Sequence, residues 1–384
     1  MDLLDVLAAG GRRTDRITHV RHIPARAGEH ADWPAWADID LVQGYRALGV
    51  ERPWTHQVAA ADAAWSGRHT VLATSTGSGK SLAYWLPALS SIRATAAGAL
   101  LDPGRIESVT RRGSTLYLCP TKALAADQLA ALDRLLAAAH TRDVRVATCD
   151  GDTSLDERRW VQEYADVVLT NPDFLHFALL PQHRRWARLL GSLRYVVLDE
   201  CHAFRGVFGA HVGLVLRRLR RLAAAYGSSP VFVLASATTA DPAASAARLL
   251  GVAPDEVTAV TDDASPAGRK TFVLWQPPEL PSTPGPWSDL VPDDDPWASP
   301  LPVPAQATRA PDDLAPPAPD DVWPGAPEPG EGAGPLGTGE RLVTDPADRP
   351  RRTATAEIAD LLADLVVAGA RSLAFTRSRR GAES

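Results

Sequence analysis

The sequence predicts an α/β fold, a doubly wound and mostly parallel sheet with helices on both faces, and three observations carry that expectation. Short apolar and β-branched runs alternate with amphipathic, Ala/Leu-rich segments from Thr70 to Trp275. The runs are almost continuously hydrophobic, as strands covered on both faces must be. A Gly-rich octapeptide, TSTGSGKS (74–81), joins one of these runs directly to a helical pattern. Alternation of this kind builds layered α/β domains.

Composition sets the bounds. A length of 384 residues suggests two domains, and 45% hydrophobic with 22% charged residues is ordinary for a globular chain with a sizeable core. The formal net charge is −6, so contact with a polyanion must rest on local basic groups, not on the overall field. No apolar run reaches the roughly 18 residues needed to cross a bilayer. The N-terminal MDLLDVLAAGGRRTDR has acidic residues where a secretory signal would be basic, and a cytoplasmic location is expected. Cys119, Cys149 and Cys201 are odd in number and widely spaced, without the pairing of a metal site, and read as small buried hydrophobes in a reducing compartment.

Along the chain, residues 1–50 read as an N-terminal extension with a helical stretch near Ile39–Leu48. Residues 51–275 form the first domain. Its expected strands are TVLATS (70–75), STLYLCP (114–120), VRVATCDG (144–151), ADVVLTNP (165–172), RYVVLDE (194–200), PVFVLASAT (230–238) and TFVLW (271–275). Residues 276–350 hold 20 of the 32 prolines together with many aspartates, a composition that cannot offset its ordering entropy. That segment is expected to be a disordered, acidic, Pro-rich linker. Its Trp287, Trp297 and Trp323 read as isolated aromatics, or else as anchors for a protein partner. In residues 351–384, EIADLLADLVVAGA reads as a helix ended by Gly369 and SLAFT (372–376) as a strand. One helix and one strand cannot enclose a core, so this is expected to be the truncated start of a second domain.

The octapeptide has the strand–loop–helix setting of a phosphate-binding loop. Gly77 and Gly79 allow backbone N–H groups of the Thr76–Ser81 loop to turn toward phosphate oxygens, and the helix N-terminus adds partial positive charge. Lys80 would meet the β- and γ-phosphates of ATP, and the Ser81 hydroxyl would ligate Mg²⁺. The general pattern GxxxxGK[ST] has Gly where this chain has Thr74. A second acidic signal, DECH (199–202), ends the apolar run RYVVL. A carboxylate at the carboxyl end of a buried parallel strand faces the crevice in which such folds bind ligands. Asp199 would hold Mg²⁺ through water and Glu200 would orient the attacking water. Taken alone, an Asp-Glu pair after a strand is also an ordinary helix start.

In order and spacing these residues resemble a superfamily 2 helicase of the DExH type. Gln57 in RPWTHQ falls where a Q-motif lies, TSTGSGKS resembles motif I, PTKALA (120–125) motif Ia, TNPD (170–173) motif Ib or Ic, DECH motif II, SAT (236–238) motif III and FTRSRRGAE (375–383) the start of motif IV. HIPAR (22–26), ERPWTHQ (51–57) and the stretch from Thr170 to Leu222 are similar to the MrfA/Hrq-type branch, whose usual substrate is DNA and whose direction is 3′ to 5′. The resemblance spans about residues 19–275 and 354–384. It implies two RecA-like lobes, single-stranded or partly duplex DNA as partner, and ATP hydrolysis catalysed by Lys80, Asp199 and Glu200.

The same resemblance implies that Gln57 reads adenine, that Thr121, Lys122, Asn171 and Asp173 contact the nucleic-acid backbone, and that His202, Ser236 and Thr238 couple phosphate chemistry to that grip. Asn-Pro is also an ordinary turn signal. Arg217, Arg218, Arg220 and Arg221 form either a nucleic-acid patch or a solvated helix face. Motifs V and VI, with their arginine finger, and a four-cysteine zinc region have no counterpart in these 384 residues. The expectation is therefore a chain that binds ATP–Mg²⁺, hydrolyses it slowly and does not unwind. The alternative is a non-enzymatic ATP-binding scaffold. A P-loop GTPase is disfavoured because no NKxD pattern is present.

Overall fold

The computed structural model describes residues 3–101, 112–237, 239–280 and 351–376, with the side chains of 95–101 left aside. The Pro-rich segment beyond residue 280, most of the FTRSRRGAE stretch and Thr238 lie outside the described residues.

In chain order the elements are α1 (Leu3–Leu7), β1 (Ile17–Ile23), α2 (Ile39–Ala47), α3 (Thr55–Trp65), β2 (His69–Ala73), α4 (Lys80–Leu101), β3 (Ser114–Leu118), α5 (Lys122–Ala138), β4 (Val146–Thr148), α6 (Leu155–Tyr164), β5 (Val167–Thr170), α7 (Pro172–Phe174), α8 (Ala187–Gly191), β6 (Leu193–Leu198), α9 (Gly206–Ala225), β7 (Val231–Ser236), α10 (Pro242–Leu250), β8 (Val257–Val260), β9 (Lys270–Trp275) and α11 (Ala354–Val367). The chain divides into two compact units, Ile23–Lys270 and the flanking segments up to His22 and from Thr271 onward.

The larger unit is built on a seven-stranded sheet in the order β4-β5-β3-β6-β7-β2-β8. Every pairing is parallel. This is the expected RecA-like, doubly wound architecture. Period-two alternation along a strand explains why the runs are apolar throughout. On β3, Leu116 and Leu118 face one core with Val196, Leu198, Phe232, Leu234 and the inner faces of α9 and α10. Tyr117 and Cys119 face the other core, with Val197, Val233 and the aliphatic side chains of α4 and α5. Two layers of helices thus cover one sheet. β8 was not among the strands read from the sequence; it extends the edge beside β2.

Residues 23–50, expected as an extension, belong to this unit. Trp33 and Tyr45 stack at 5.7 Å, and His30 stacks on Trp54 at 4.1 Å. The α2 cap Asp38 accepts from Arg93 of α4 at 2.7 Å. Gly44 approaches Ala139 so closely that a Cβ would lie 2.7 Å from the Ala139 methyl. These aromatic and small residues bury α2 against α5, which its short length could not achieve alone.

The smaller unit corrects the sequence reading at TFVLW. Those residues form β9, which lies in a two-stranded sheet with β1 instead of in the parallel sheet. The pairing runs antiparallel: Gln276 N–H donates to Arg16 O (2.7 Å), and Thr18 Oγ1 to Leu274 O (3.2 Å). A strand at the end of one domain's sequence found its partner about 250 positions earlier, which local pattern does not reveal. In α11, Glu357 is 2% exposed and accepts from Trp275 Nε1 (3.1 Å), Arg352 (3.0 Å) and Arg16. A buried carboxylate needs such company. The helix ends before Gly369, which has φ +77° as a helix terminator requires. The strand expected over 372–376 is not formed: it has no ladder neighbour among the described residues.

Leu116 is fully buried at the centre of the parallel sheet. Leu116→Ala should destabilise the chain by about 2–5 kcal/mol in denaturant unfolding. A loss under about 1 kcal/mol would mean that β3 is not a core strand.

Candidate active site

The loop TSTGSGKS leaves the carboxyl end of β2 and opens α4 at Lys80. Thr74 is buried, Ser75, Thr76 and Gly77 are exposed, and Ser78 is buried again. Gly77 and Gly79 have φ of +82° and +76°, a region that an L side chain rarely enters. At Gly79 a Cβ would also meet the Gln57 amide at 2.5 Å. Thr74, standing where the general motif has Gly, hydrogen-bonds through Oγ1 to Ser78 Oγ at 2.8 Å and closes the base of the loop. Lys80 Nζ reaches back to Thr74 O (3.3 Å) and Ser75 O (3.0 Å).

Three residues hold this loop from behind. Gln57 Oε1 accepts from Trp54 N–H (2.8 Å), while its Nε2 donates to Ser78 O (3.3 Å) and Gly79 O (2.8 Å). His56 Nδ1 accepts from Ala264 N–H at 3.1 Å, which leaves Nε2 as the donor to Ser78 O at 3.1 Å. Burial, with the nearby Arg26 and Lys80 charges, lowers the His56 pKa, against the opposing pull of Ser78 O and Asp263. Asp263 accepts from Ser75 N–H (3.3 Å) and the Ser75 hydroxyl, from Ser265 N–H (2.9 Å) and Oγ (2.6 Å), and pairs with Arg26 at 3.2 Å. Partial burial works the other way, yet these donors hold its carboxyl far below the usual carboxylate range.

The second half of the site stands at the end of β6. That strand and β2 are both hydrogen-bonded to β7, with Leu198 opposite Leu234 and Ala73 opposite Ser236. Two strand spacings, about 10 Å, therefore separate the loop from DECH at one sheet edge. A direct link spans the gap. Tyr84, one helical turn beyond Ser81 on α4, donates its hydroxyl to Asp199 Oδ2 at 2.9 Å. Tyr117 of β3 donates to the same oxygen at 2.7 Å. Burial, reinforced by the Asp199 charge, pushes both phenols well above their ordinary pKa, so they remain protonated donors. Asp199 Oδ1 accepts from Glu200 N–H at 2.9 Å.

Glu200 occupies the left-handed region at φ 48°, ψ 39°. Its Oε2 lies 3.1 Å from His202 Nδ1, and Ala237 N–H points at that same nitrogen at 3.3 Å. DECH and SAT are thereby linked. Cys201 adds to the link: burial pushes its thiol up to about 12, offset by a hydrogen bond with Ser236. His202, Ser236 and Cys201 also line a cleft of about 760 Å³ between α9 and α10.

The remaining expected residues gather elsewhere on the same edge. Thr121, Lys122, Thr170 and Asn171 line a cavity of about 200 Å³. Thr121 and Asn171 cap α5 and α7, accepting from Leu124 N–H (3.3 Å) and Phe174 N–H (2.8 Å). Lys122 pairs with Asp152 and Asp150, and Asp173 is exposed beyond the cavity. The arginines of α9 divide. Arg217 donates to Arg248 O (3.1 Å) and Arg220 to Leu250 O (3.0 Å), satisfying the last carbonyls of α10.

The donors suit magnesium. Among the described residues no group of three or more His, Cys, Asp or Glu could cage a metal ion. One carboxylate with an uncommitted lone pair on Oδ1 and one hydroxyl, Ser81, three positions before Tyr84 on its helix, are the kind of oxygen donors that would suit a cation that keeps most of its water. Tyr84, Tyr117, His56 and Asp263 escaped sequence reasoning. The first two look like core aromatics; His56 stands beside Gln57 in the recognised RPWTHQ and was the nearest to a signal.

Because His56 has its folded pKa below the ordinary value near 6.5, the unfolded chain binds its proton first as pH falls. Its contribution to stability should be complete above about pH 6.5 and decline as pH drops below that value. Comparing unfolding of the chain with His56→Gln between pH 5 and 8 checks this; equal pH slopes would refute it.

Comparison with known proteins gives four matches. A family model described as DEAD/DEAH box helicase matches residues 54–246, half of the chain. The chain is 38% identical over 264 residues to the uncharacterized ATP-dependent helicase YprA of Bacillus subtilis, covering 69% of this chain and 33% of that protein. It is 39% identical over 236 residues to the ATP-dependent helicase hrq1 of Schizosaccharomyces pombe, covering 61% of this chain and 21% of that one. The crystal structure of the DUF1998 helicase MrfA bound to DNA and AMPPNP superposes with a TM-score of 0.73 at 29% identity, over 98% of this chain and 41% of that chain. The chain thus spans about a third of YprA and about a fifth of hrq1. No described helix is long and apolar enough to cross a membrane.

Proposed function

Because the chain belongs to the DEAD/DEAH box helicase family, we propose that its α/β unit binds ATP with Mg²⁺ and hydrolyses it in response to bound DNA. The observation that supports this most directly is the 2.9 Å bond from Tyr84 to Asp199, which ties the helix of the phosphate loop to the acidic strand end. Phosphate groups would be cradled by N–H groups of Thr76–Ser81 and by Lys80, whose ammonium would leave Thr74 O and Ser75 O for the γ-phosphate. Ser81 and Asp199 would hold Mg²⁺, which neutralises phosphate charge when bound. Glu200 would orient the attacking water and accept its proton, with His202 beside it as the neighbour that senses the change. Gln57 would read adenine by accepting from N6 through the free lone pair of Oε1, releasing one loop carbonyl to donate to N7.

Backbone phosphates of single-stranded or partly duplex DNA would lie over Thr121, Lys122, Asn171 and Asp173, where they carry position without sequence. The Lys122 ammonium would exchange Asp150 and Asp152 for a phosphate. His202, Ser236 and Thr238 would relay between the two sites, through Ala237 and Cys201. The organisation proposed is a nucleotide-binding domain, a Pro-rich acidic linker and the start of a second RecA-like domain from residue 351.

Lys80→Ala should weaken ATP binding and turnover by at least about 100-fold, the scale of a lost charge-stabilising donor. Glu200→Gln should keep ATP affinity while lowering turnover about 10²–10⁴-fold, the range of general-base contributions. Fluorescent-nucleotide titration and phosphate release, with and without single-stranded DNA, check both. Unchanged affinity in Lys80→Ala would end the phosphate-loop assignment, and binding without turnover at any DNA concentration would favour the scaffold reading.

A further inference from the structure

We infer that Tyr84 and Tyr117 are positioning residues that fix the Asp199 carboxylate as a one-directional ligand for the nucleotide-bound metal. The inference rests on the proposed ATP–Mg²⁺ reading and deepens it.

Asp199 is only 7% exposed, and a carboxylate offers about four lone-pair sites. Both phenols donate to Oδ2, at 2.9 and 2.7 Å, and Glu200 N–H donates to Oδ1 at 2.9 Å. Three sites are therefore committed and one, on Oδ1, remains. The group cannot rotate about its own axis without giving up two charge-assisted bonds, each stronger than a neutral one.

The phenols are themselves immobile. Tyr84 is 1% and Tyr117 0% exposed. Trp85 packs against both, stacked on Tyr117 at 5.4 Å and edge-on to Tyr84 at 5.2 Å. The Trp85 indole N–H is anchored on Gln128 Oε1 at 3.0 Å. Phenylalanine would fill the same space. Two hydroxyls carried into a core are costly unless satisfied, and here one oxygen of one carboxylate satisfies both. The hydroxyls therefore serve Asp199, not the packing. Tyr84 also stands three residues after Ser81 on α4, so one helix turn carries both a metal-ligand hydroxyl and the brace for the metal-ligand carboxylate.

The test measures Mn²⁺ binding by electron paramagnetic resonance on the full chain with a non-hydrolysable ATP analogue. Tyr84→Phe and Tyr117→Phe should each weaken Mn²⁺ binding, and the double variant by about 10–100-fold, the usual cost of losing groups that orient a metal ligand. Analogue affinity in EDTA should stay within about twofold of the parent chain, because the phenols touch no nucleotide. Asp199→Asn is the control. If it leaves Mn²⁺ binding intact, the metal assignment itself fails. If it abolishes binding while the phenylalanine variants bind Mn²⁺ like the parent, the tyrosines only fill space and this inference alone is overturned. Equal losses with and without EDTA would also overturn it, as the mark of a generally loosened site. Should the double variant not fold, the two single variants carry the same comparison.

Discussion

An ionised carboxylate removed from water must be surrounded by donors, since the uncompensated charge costs several kcal/mol. At Asp199 that requirement joins three elements of the large unit. The helix that follows the phosphate loop supplies Tyr84, the neighbouring strand β3 supplies Tyr117, and the acidic turn supplies the N–H of Glu200. Helix α4, strand β3 and the DECH turn cannot shift independently while those bonds persist. The parallel sheet brings the ends of β2 and β6 to one edge, and this knot of hydrogen bonds sets how they face one another.

The geometry also separates roles within DECH. Asp199 has three of its four lone-pair sites engaged and is nearly enclosed, as a fixed ligand would require. Glu200, one residue on, is about a third exposed in its side chain, stands in a left-handed backbone conformation and touches His202. A non-glycine residue in that region stores of order 1 kcal/mol or more, and such strain is retained where surrounding structure dictates it. Here the dictating partners are the Asp199 carboxylate on one side and the His202–Ala237 contact on the other.

Much of this was legible in the residues themselves. Glycine and lysine at short, fixed offsets marked TSTGSGKS as a candidate phosphate loop, and the strand ending in DE, ambiguous by itself, drew its weight from that loop. Unbroken hydrophobicity along β3 and β6 made the two-faced sheet readable. What escaped depends on distance along the chain. Tyr84 and Tyr117 look like any core aromatics until the fold puts their hydroxyls on one oxygen. TFVLW reads as one more strand of the parallel sheet, yet it pairs with Ile17–Ile23, whose hydropathy carries no sign of it. Residues 23–50 seemed peripheral because their aromatics find partners only in the fold, Trp36 on Trp65 of α3 and His30 on Trp54. The arginines of α9 read as either a nucleic-acid patch or a solvated face, and Arg217 and Arg220 hold the open carbonyls of α10.

The braces behind the phosphate loop have a mechanical consequence. Ser75 is held by Asp263, Ser78 by His56, and these reach Arg26, Ala264 and the backbone bridge between Arg26 and Ala267. Entry and exit of the large unit are thus clasped together immediately behind the loop. Within the large unit, a shift of the loop must therefore be accommodated by the hydrogen bonds of Asp263 and His56. The phosphate loop thus leans on the two ends of its own unit, which meet through the Arg26–Ala267 bridge.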